Sequence, residues 1–349
     1  MSKTNALWLA ALLKAMTHRH IAVAGDLMLD EWLWGSVQRI SPEAPVPVVQ
    51  VHDQSYTLGG AGNVANNLAA LRARVHLISV IGDDHAGQRL LSICKTLRID
   101  TSGVAVVPSR PTTVKTRIVA HNQQVVRADH EATTRLNGRV RSALVRSLAA
   151  LDGRVDGVVI SDYGKGVVDA NLVAAAREYE RKAVVTGDPK PQNLDAFVDC
   201  DCIAPNAAEA GTATGMEIHS DADFARAARA LLTRTRARYV LITRGERGMT
   251  LFPRSGSPFT VPAVARQVYD VSGAGDTVVS ALTLALAAGA SIERAVTFAA
   301  LAAGVVVEKL GTATASPREI ARFAEHEGIA KASPLSASRA PRHRRARRG

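Results

Sequence analysis

Short, nearly unbroken apolar runs recur along the chain at residues 21–25, 76–81, 157–161, 183–186, 202–205, 239–243 and 249–252. Between several of them apolar residues return every three or four positions, at 62–71, 88–97, 170–179 and 221–232. An apolar run without polar alternation belongs to a strand buried on both faces, and the helical spacing supplies its cover. The pattern predicts a doubly wound α/β fold with a mostly parallel sheet. Two further apolar stretches, 278–290 and 295–307, are bounded by Asp276, Glu293, Arg294 and Glu308. They fall well short of the roughly 20 residues of a membrane span and are expected as buried helices. Residues 6–13 are apolar too, but Lys14 and the absence of a cleavage-like site favour an amphipathic first helix over a leader.

Two segments break this rhythm. Residues 46–51 (VPVVQV) and 112–129 (TTVKTRIVAHNQQVVRAD) are β-rich, with a polar Asn-Gln turn and no helix between strands. They predict a small antiparallel sheet, spanning about 38–52 and 104–130, that projects from the main strands as a β lid. The plain alternative is an edge extension of the main sheet. The folded domain is expected over 1–332, and 333–349 (SPLSASRAPRHRRARRG) as a disordered basic tail.

Composition adjusts the picture at three points. An apolar fraction of 47% excludes a mainly disordered chain. The net charge of +11 suggests nucleic acid, yet six arginines crowd the last eleven residues, where no aromatic residue offers a stacking surface. Nucleic acid is therefore not an expected partner. Three cysteines make no disulfide framework and point to a reducing, cytoplasmic setting. Cys94, Cys200, Cys202 and the ten histidines lack zinc-ligand spacing.

The strongest chemical signal is Asp270-Val271-Ser272-Gly273-Ala274-Gly275-Asp276, followed directly by a helix. A Gly-Ala-Gly turn there gathers free backbone N–H groups at the positive helix end, forming an anion hole. Asp276 beside it suits a base that takes a proton from an attacking hydroxyl, and equally suits a helix cap. No Gly-Lys-Ser/Thr follows, so this is not a Walker loop, and Gly59-Gly60-Ala61-Gly62 is not placed as a dinucleotide fingerprint.

These residues resemble the ribokinase-like (PfkB) carbohydrate kinases: Asp270–Asp276 matches their C-terminal signature and Gly59-Gly60-Ala61-Gly62-Asn63 their N-terminal glycine motif. Arg39–Val49, Ser161–Gly166, Thr243–Met249 and Gly311-Thr312 are similar to the D-glycero-β-D-manno-heptose 7-phosphate kinases of the ADP-heptose pathway, which serves the lipopolysaccharide core. The chain ends before the adenylyltransferase often fused to that kinase could fit, so the stand-alone type is expected. Within the family pattern Asn67 stands where a hydrophobic residue is usual, Arg72 where glycine is, and Val271 where threonine is. The last bears on a monovalent cation such as K⁺.

The resemblance implies ATP and Mg²⁺ as cofactors and roles for particular residues. Asp276 is the base, with Gly273, Ala274 and Gly275 as the anion hole. Asp26, Gly59, Gly60 and Asn63 contact the sugar, with a loop-to-helix cap at Gly62-Asn63 as the alternative. Arg39, Lys115, Arg117 and Lys165 are candidates for the distal phosphate, against the plain reading of solvated surface charges. Lys190 reaches the triphosphate, and Asn206 and Glu209 position Mg²⁺ through water, though N-x-x-E is also a capping box. Thr243, Gly245, Gly248 and Asp270 border the nucleotide, and residues 243–248 alternatively form an ordinary hairpin turn. A homodimer clasped through the lid is expected. A kinase for another sugar, and a non-catalytic sugar-phosphate sensor, stay open as readings.

Overall fold

Residues 3–121, 123–179, 183–265 and 268–326 are described in a computed structural model. Helix α1 (Lys3–Met16) leads into β1 (His20–Gly25), and a long hairpin of β2 (Leu27–Ile40) and β3 (Pro47–Gly60) follows. Next come α2 (Ala61–Ala70), β4 (Arg74–Ile81), α3 (His85–Thr96), β5 (Asp100–Val106) and a second hairpin, β6 (Thr113–Ala120) and β7 (Gln123–His130). The chain continues through α4 (Gly138–Ala149), β8 (Gly157–Ser161), α5 (Ala170–Tyr179), β9 (Val184–Asp188), β10 (Cys202–Ile203), α6 (Ala207–Thr214) and α7 (Asp221–Thr235). It closes with β11 (Tyr239–Thr243), β12 (Met249–Pro253), β13 (Phe259–Val261), α8 (Ala274–Ala287), α9 (Ile292–Val307) and α10 (Pro317–His326).

Among the described residues, nine strands form the main sheet in the order β13-β12-β11-β10-β9-β8-β1-β4-β5. All neighbours from β11 to β5 are parallel, and the edge pairs β11–β12 and β12–β13 are antiparallel. Side chains of β1 alternate between two cores: Ile21 and Val23 face one, Ala22 and Ala24 the other. The first core packs residues of α1, α2, α8 and α9, and the second packs α4, α5 and α7. This two-sided cover is why the strands read as unbroken apolar runs. Cys94 and Cys202 lie in the first core and Cys200 in the second, all free thiols. Burial pushes the Cys94 thiol up to about 11 and Cys200 to about 12, and Cys202 higher still.

From β1 the chain steps outward to β4 and β5, then returns to place β8 on the other side of β1. Connections therefore diverge at the carboxyl ends of β1 and β8, where open α/β sheets form their ligand crevice. Asp26 directly follows β1 there, and Asp162 and Tyr163 follow β8.

The lid is a separate four-stranded sheet, β3-β2-β6-β7. Its hairpins are antiparallel, while the central pair β2–β6 runs parallel. The expected bounds need correction: the lid strands run over 27–60 and 113–130, whereas 104–106 belong to β5 in the main sheet. β2 escapes a pattern reading because Asp30 and Glu31 interrupt its apolar alternation, and both are satisfied by β6 through Arg117 and Thr116. The basic tail 333–349 lies outside the described residues. Among the described residues, no helix is long and apolar enough to cross a membrane.

Candidate active site

Gly273 is the N-cap of α8, in left-handed conformation at φ +76°, and no side chain caps the helix. An added Cβ at Gly273 would approach Asn63 Nδ2 to 2.6 Å, so glycine is required on two counts. The uncapped end directs the positive helix terminus at the crevice. Ala274, one of the three expected donors, is a correction: its N–H is bonded to Val271 O at 3.2 Å, closing the turn. Gly273 and Gly275 remain as the candidate anion-hole donors of this segment.

Asp276 does not cap its own helix. Its carboxylate turns inward and is buried, with Oδ2 accepting from Asn63 Nδ2 at 2.7 Å and Oδ1 from the Tyr163 hydroxyl at 2.8 Å. Burial raises its pKa to about 6; the bonds from Asn63 and Tyr163 and the Lys190 charge oppose the rise, and Asp30 adds to it. Such a carboxylate is ionised at neutral pH yet able to hold a proton, the property a general base needs. Asn63, expected on the sugar, thus makes its side-chain contact with Asp276.

Asp26 is also a correction. Expected to receive sugar hydroxyls, it is 1% exposed and accepts the backbone N–H groups of Tyr163, Lys165 and Val167 at 2.7, 3.0 and 3.0 Å. Its carboxylate holds the loop after β8. The carboxylate facing Asp276 from this stretch is Asp30, on β2, which the sequence reading missed. Gly59 and Gly60 let β3 pass close to these groups: a Cβ at Gly59 would meet Asp30 Oδ2 at 2.6 Å, and one at Gly60 would meet Asp26 O at 2.3 Å.

The basic candidates divide. Lys115 and Arg117 share one face of β6, as their spacing requires, and Lys165 lies on the loop after β8. Each is matched to a carboxylate: Arg117 to Asp30 at 2.6 Å, Lys165 to Glu131 at 2.6 Å, Lys115 to Asp129 at 3.5 Å. Arg117 also lies over the Trp32 ring at 4.9 Å. Arg39 is not brought to the site. It sits exposed near the far end of β2, paired in register with Val48, nine residues beyond Asp30. At about 3.3 Å per residue that is roughly 30 Å along the strand.

On the nucleotide side, Lys190 forms an ion pair with Glu209 and places its ammonium 5.0 Å from the Tyr163 ring centre. Asn206 and Glu209 form the capping box at the start of α6, so the local alternative is realised, and Glu209 serves both partners at once. Asp188, missed from sequence, lies at the end of β9 among Glu209, Lys190, Asp276 and Asp162; burial and then Glu209 raise its pKa well above the ordinary range. Ser161, its partner in register on β8, has a buried hydroxyl oxygen without a partner among the described residues. A carboxyl held among negative charges, beside an unmatched hydroxyl, is a place that a cation and its waters would complete. Among the described residues no three ligand side chains could enclose an ion. Asp188 and Glu209 suit Mg²⁺, which keeps waters and takes further oxygens from phosphates.

Four nucleotide candidates have structural duties. Thr243 bridges Asn206, bringing β11 to this edge, and Gly245 opens the short turn to β12 at φ +59°. Gly248 is needed for packing, since a Cβ would meet Val261 O at 2.1 Å. Asp270, placed on the nucleotide by expectation, accepts from Ser272 N at 2.8 Å and Gly311 N at 3.0 Å and so ties two loops together. Both of its oxygens are engaged by backbone.

Comparison with known proteins matches residues 19–319 to the description pfkB family carbohydrate kinase. The chain is 45% identical over 318 residues to the "Bifunctional protein HldE" of Desulfatibacillum aliphaticivorans, covering 90% of this chain and 65% of that protein. It is 43% identical over 307 residues to the protein of the same name from Helicobacter pylori, covering 87% and 66%. The chain therefore spans just under two thirds of the length of these relatives. Among solved structures, Arabidopsis thaliana ribokinase complexed with ribose and ATP superposes with a TM-score of 0.70 at 18% identity, over 88% of this chain and 98% of that one. Escherichia coli phosphofructokinase-2 with substrates and products gives 0.74 at 21%, over 89% and 99%. These likenesses show a ribokinase-like fold.

Proposed function

The chain belongs to the pfkB family of carbohydrate kinases, and from that membership we propose that it phosphorylates the anomeric C1 hydroxyl of D-glycero-β-D-manno-heptose 7-phosphate with ATP, giving the 1,7-bisphosphate and ADP. The observation that carries the chemistry is a buried carboxylate, Asp276, gripped by Asn63 and Tyr163 beside an uncapped helix N-terminus. The substrate is supported by the four segments that resemble heptose 7-phosphate kinases, together with the cations gathered on the lid side.

Asp276 takes the C1 proton while the oxygen attacks the γ-phosphorus in line. Gly273 and Gly275 N–H groups and the α8 dipole stabilise the negative charge that develops. Asp30 receives sugar hydroxyls in the place first assigned to Asp26. Lys165, Arg117 and Lys115 take up the distal phosphate, exchanging carboxylate partners for phosphate oxygens. Lys190 meets the triphosphate. A divalent cation held by Asp188 and Glu209 through water would screen the phosphate oxygens.

The lid hairpins leave Ile40, Val46, Val51, Val125 and Val126 exposed, which supports a homodimer in which two lids cover each other. A monomer by light scattering at working concentration rejects that part. The reaction is tested by ADP release with Mg-ATP and a panel of heptose 7-phosphate, unphosphorylated heptose, fructose 6-phosphate, ribose and adenosine. Turnover confined to heptose 7-phosphate supports the reading. Turnover with an unphosphorylated member keeps the kinase and overturns the phosphate pocket, turnover with fructose 6-phosphate overturns the heptose assignment, and silence from folded, ATP-binding protein overturns both kinase and pocket.

A further inference from the structure

The loop 161–167 is fastened from three sides. Asp26 holds three of its N–H groups, as described above. The Arg110 guanidinium, buried beneath it, donates to the carbonyl oxygens of Lys165, Ala132 and Thr134. Asp162 accepts from Gly164 N at 2.8 Å, Lys190 N at 3.0 Å and Asn193 Nδ2 at 3.2 Å. Three buried charged side chains thus fix a short piece of backbone whose outcome is one side chain, Tyr163, aimed at Asp276 Oδ1 from 2.8 Å.

We propose that Tyr163 is a positioning residue for phosphoryl transfer, its hydroxyl fixing the plane of the Asp276 carboxylate by donating to Oδ1. The inference rests on the reading of Asp276 as the base. Asn63 grips Oδ2 from α2 and Tyr163 grips Oδ1 from the β8 loop, so two elements on opposite sides fix the carboxylate against rotation. A base held in one orientation loses less to misalignment when the hydroxyl arrives. Burial, with Asp276, Asp188 and Asp30 nearby, holds the phenol protonated well above its ordinary range, so it remains a donor at every working pH. The groups facing Asp276 are Tyr163, Asn63, Lys190, Asp30 and Asp188. Of these, Tyr163 can be altered by one atom with the other four intact.

The hydroxyl favours the ionised form of Asp276, so its loss raises the base's proton affinity and moves the acid limb of kcat/KM to higher pH. Tyr163→Phe is expected to shift that limb up by about one pH unit and to lower turnover at neutral pH about tenfold, with the KM for ATP near wild type. A fluorinated tyrosine placed at 163, isosteric but a stronger donor, is expected to shift it down. Carbon-13 titration of the Asp276 carboxyl without substrate reads the same two shifts independently of turnover. Acid limbs and titrations that coincide with wild type in both variants overturn the proposal and leave Asp276 as the base. Asp276→Asn, measured alongside, separates the cases: if it keeps wild-type turnover, the base assignment fails and the proposal with it.

Discussion

Thr277 Oγ1 donates to the side-chain oxygen of Asn67 at 2.9 Å. Asn67 Nδ2 donates in turn to Asn63 O at 2.9 Å and Asn63 Oδ1 at 3.3 Å, and Asn63 holds the Asp276 carboxylate. A closed ring of polar groups therefore runs from the first turn of α8 through α2 and back to Asp276. Asn67→Leu fills the same space but leaves Asn63 Oδ1 without its donor, while Thr277 keeps Gly273 O at 3.2 Å. The variant should lose about 1–3 kcal/mol of stability and about tenfold in kcat, with the KM for ATP unchanged. Thermal unfolding and steady-state kinetics check both, and unchanged kcat would show the ring to be structural only.

With Asp276 as the proposed base, its carboxyl should set the acid side of the pH profile. Its pKa of about 6 lies above the ordinary 3.8. The base works ionised, so activity should fall about tenfold per unit below pH 6. The same shift acts oppositely on stability: a raised carboxyl favours the fold at low pH and that gain is lost as pH rises through 6. Ionisation at neutral pH costs on the order of 3 kcal/mol. Asp276→Asn should lose turnover by about 10²–10⁴ and unfold at a higher temperature than wild type at pH 8. A lower midpoint would reject desolvation as the governing effect.

Glu209 serves helix capping and Lys190 at once, and one substitution separates the duties. Glu209→Gln retains an acceptor for the Asn206 N–H and so keeps the capping box. Unfolding should change little, while the Mg²⁺ concentration for half-maximal activity should rise about tenfold, equivalent to about 1.4 kcal/mol. Equal Mg²⁺ dependence would remove Glu209 from the cation site.

Lys165 cannot serve a phosphate fully while Glu131 holds it. Glu131→Gln removes the competing charge and should lower the KM for a phosphorylated sugar by a few-fold, roughly 1 kcal/mol. Lys165→Met should raise that KM without affecting an unphosphorylated sugar. Parallel changes for both sugars would mean that the pair only fixes the loop.

The doubly covered strands were legible because burial on two faces leaves no polar position to blur the run, as in β1 and β8. The start of α8 was legible for a related reason, since a Gly-Ala-Gly turn before ten consecutive buried residues admits few conformations. β2 was hidden because Asp30 and Glu31 are satisfied by partners more than eighty residues away. The site was half legible. Asp276 stands in a local motif, whereas Asn63 and Tyr163 reach it across 213 and 113 residues. Tyr163 had a signal that could have been used: an aromatic residue between an aspartate and a glycine, directly after a buried strand. Asp188 was passed over because, of the Asp188-Pro189-Lys190 stretch at the end of β9, only the lysine, a cation suited to a triphosphate, received a role. Charge type also overstated the phosphate pocket, since a sequence does not distinguish a free lysine from one matched to Glu131.

The three buried thiols make the two sides of the sheet separately observable. Cys94 and Cys202 report on the layer that carries α8, and Cys200 on the opposite layer. With proton affinity raised and solvent excluded, none should react with an alkylating reagent until its own layer opens. Pulse labelling followed by mass analysis would then time the breathing of each layer without an added probe. Ligands seated against α8 should slow Cys94 and Cys202 more than Cys200.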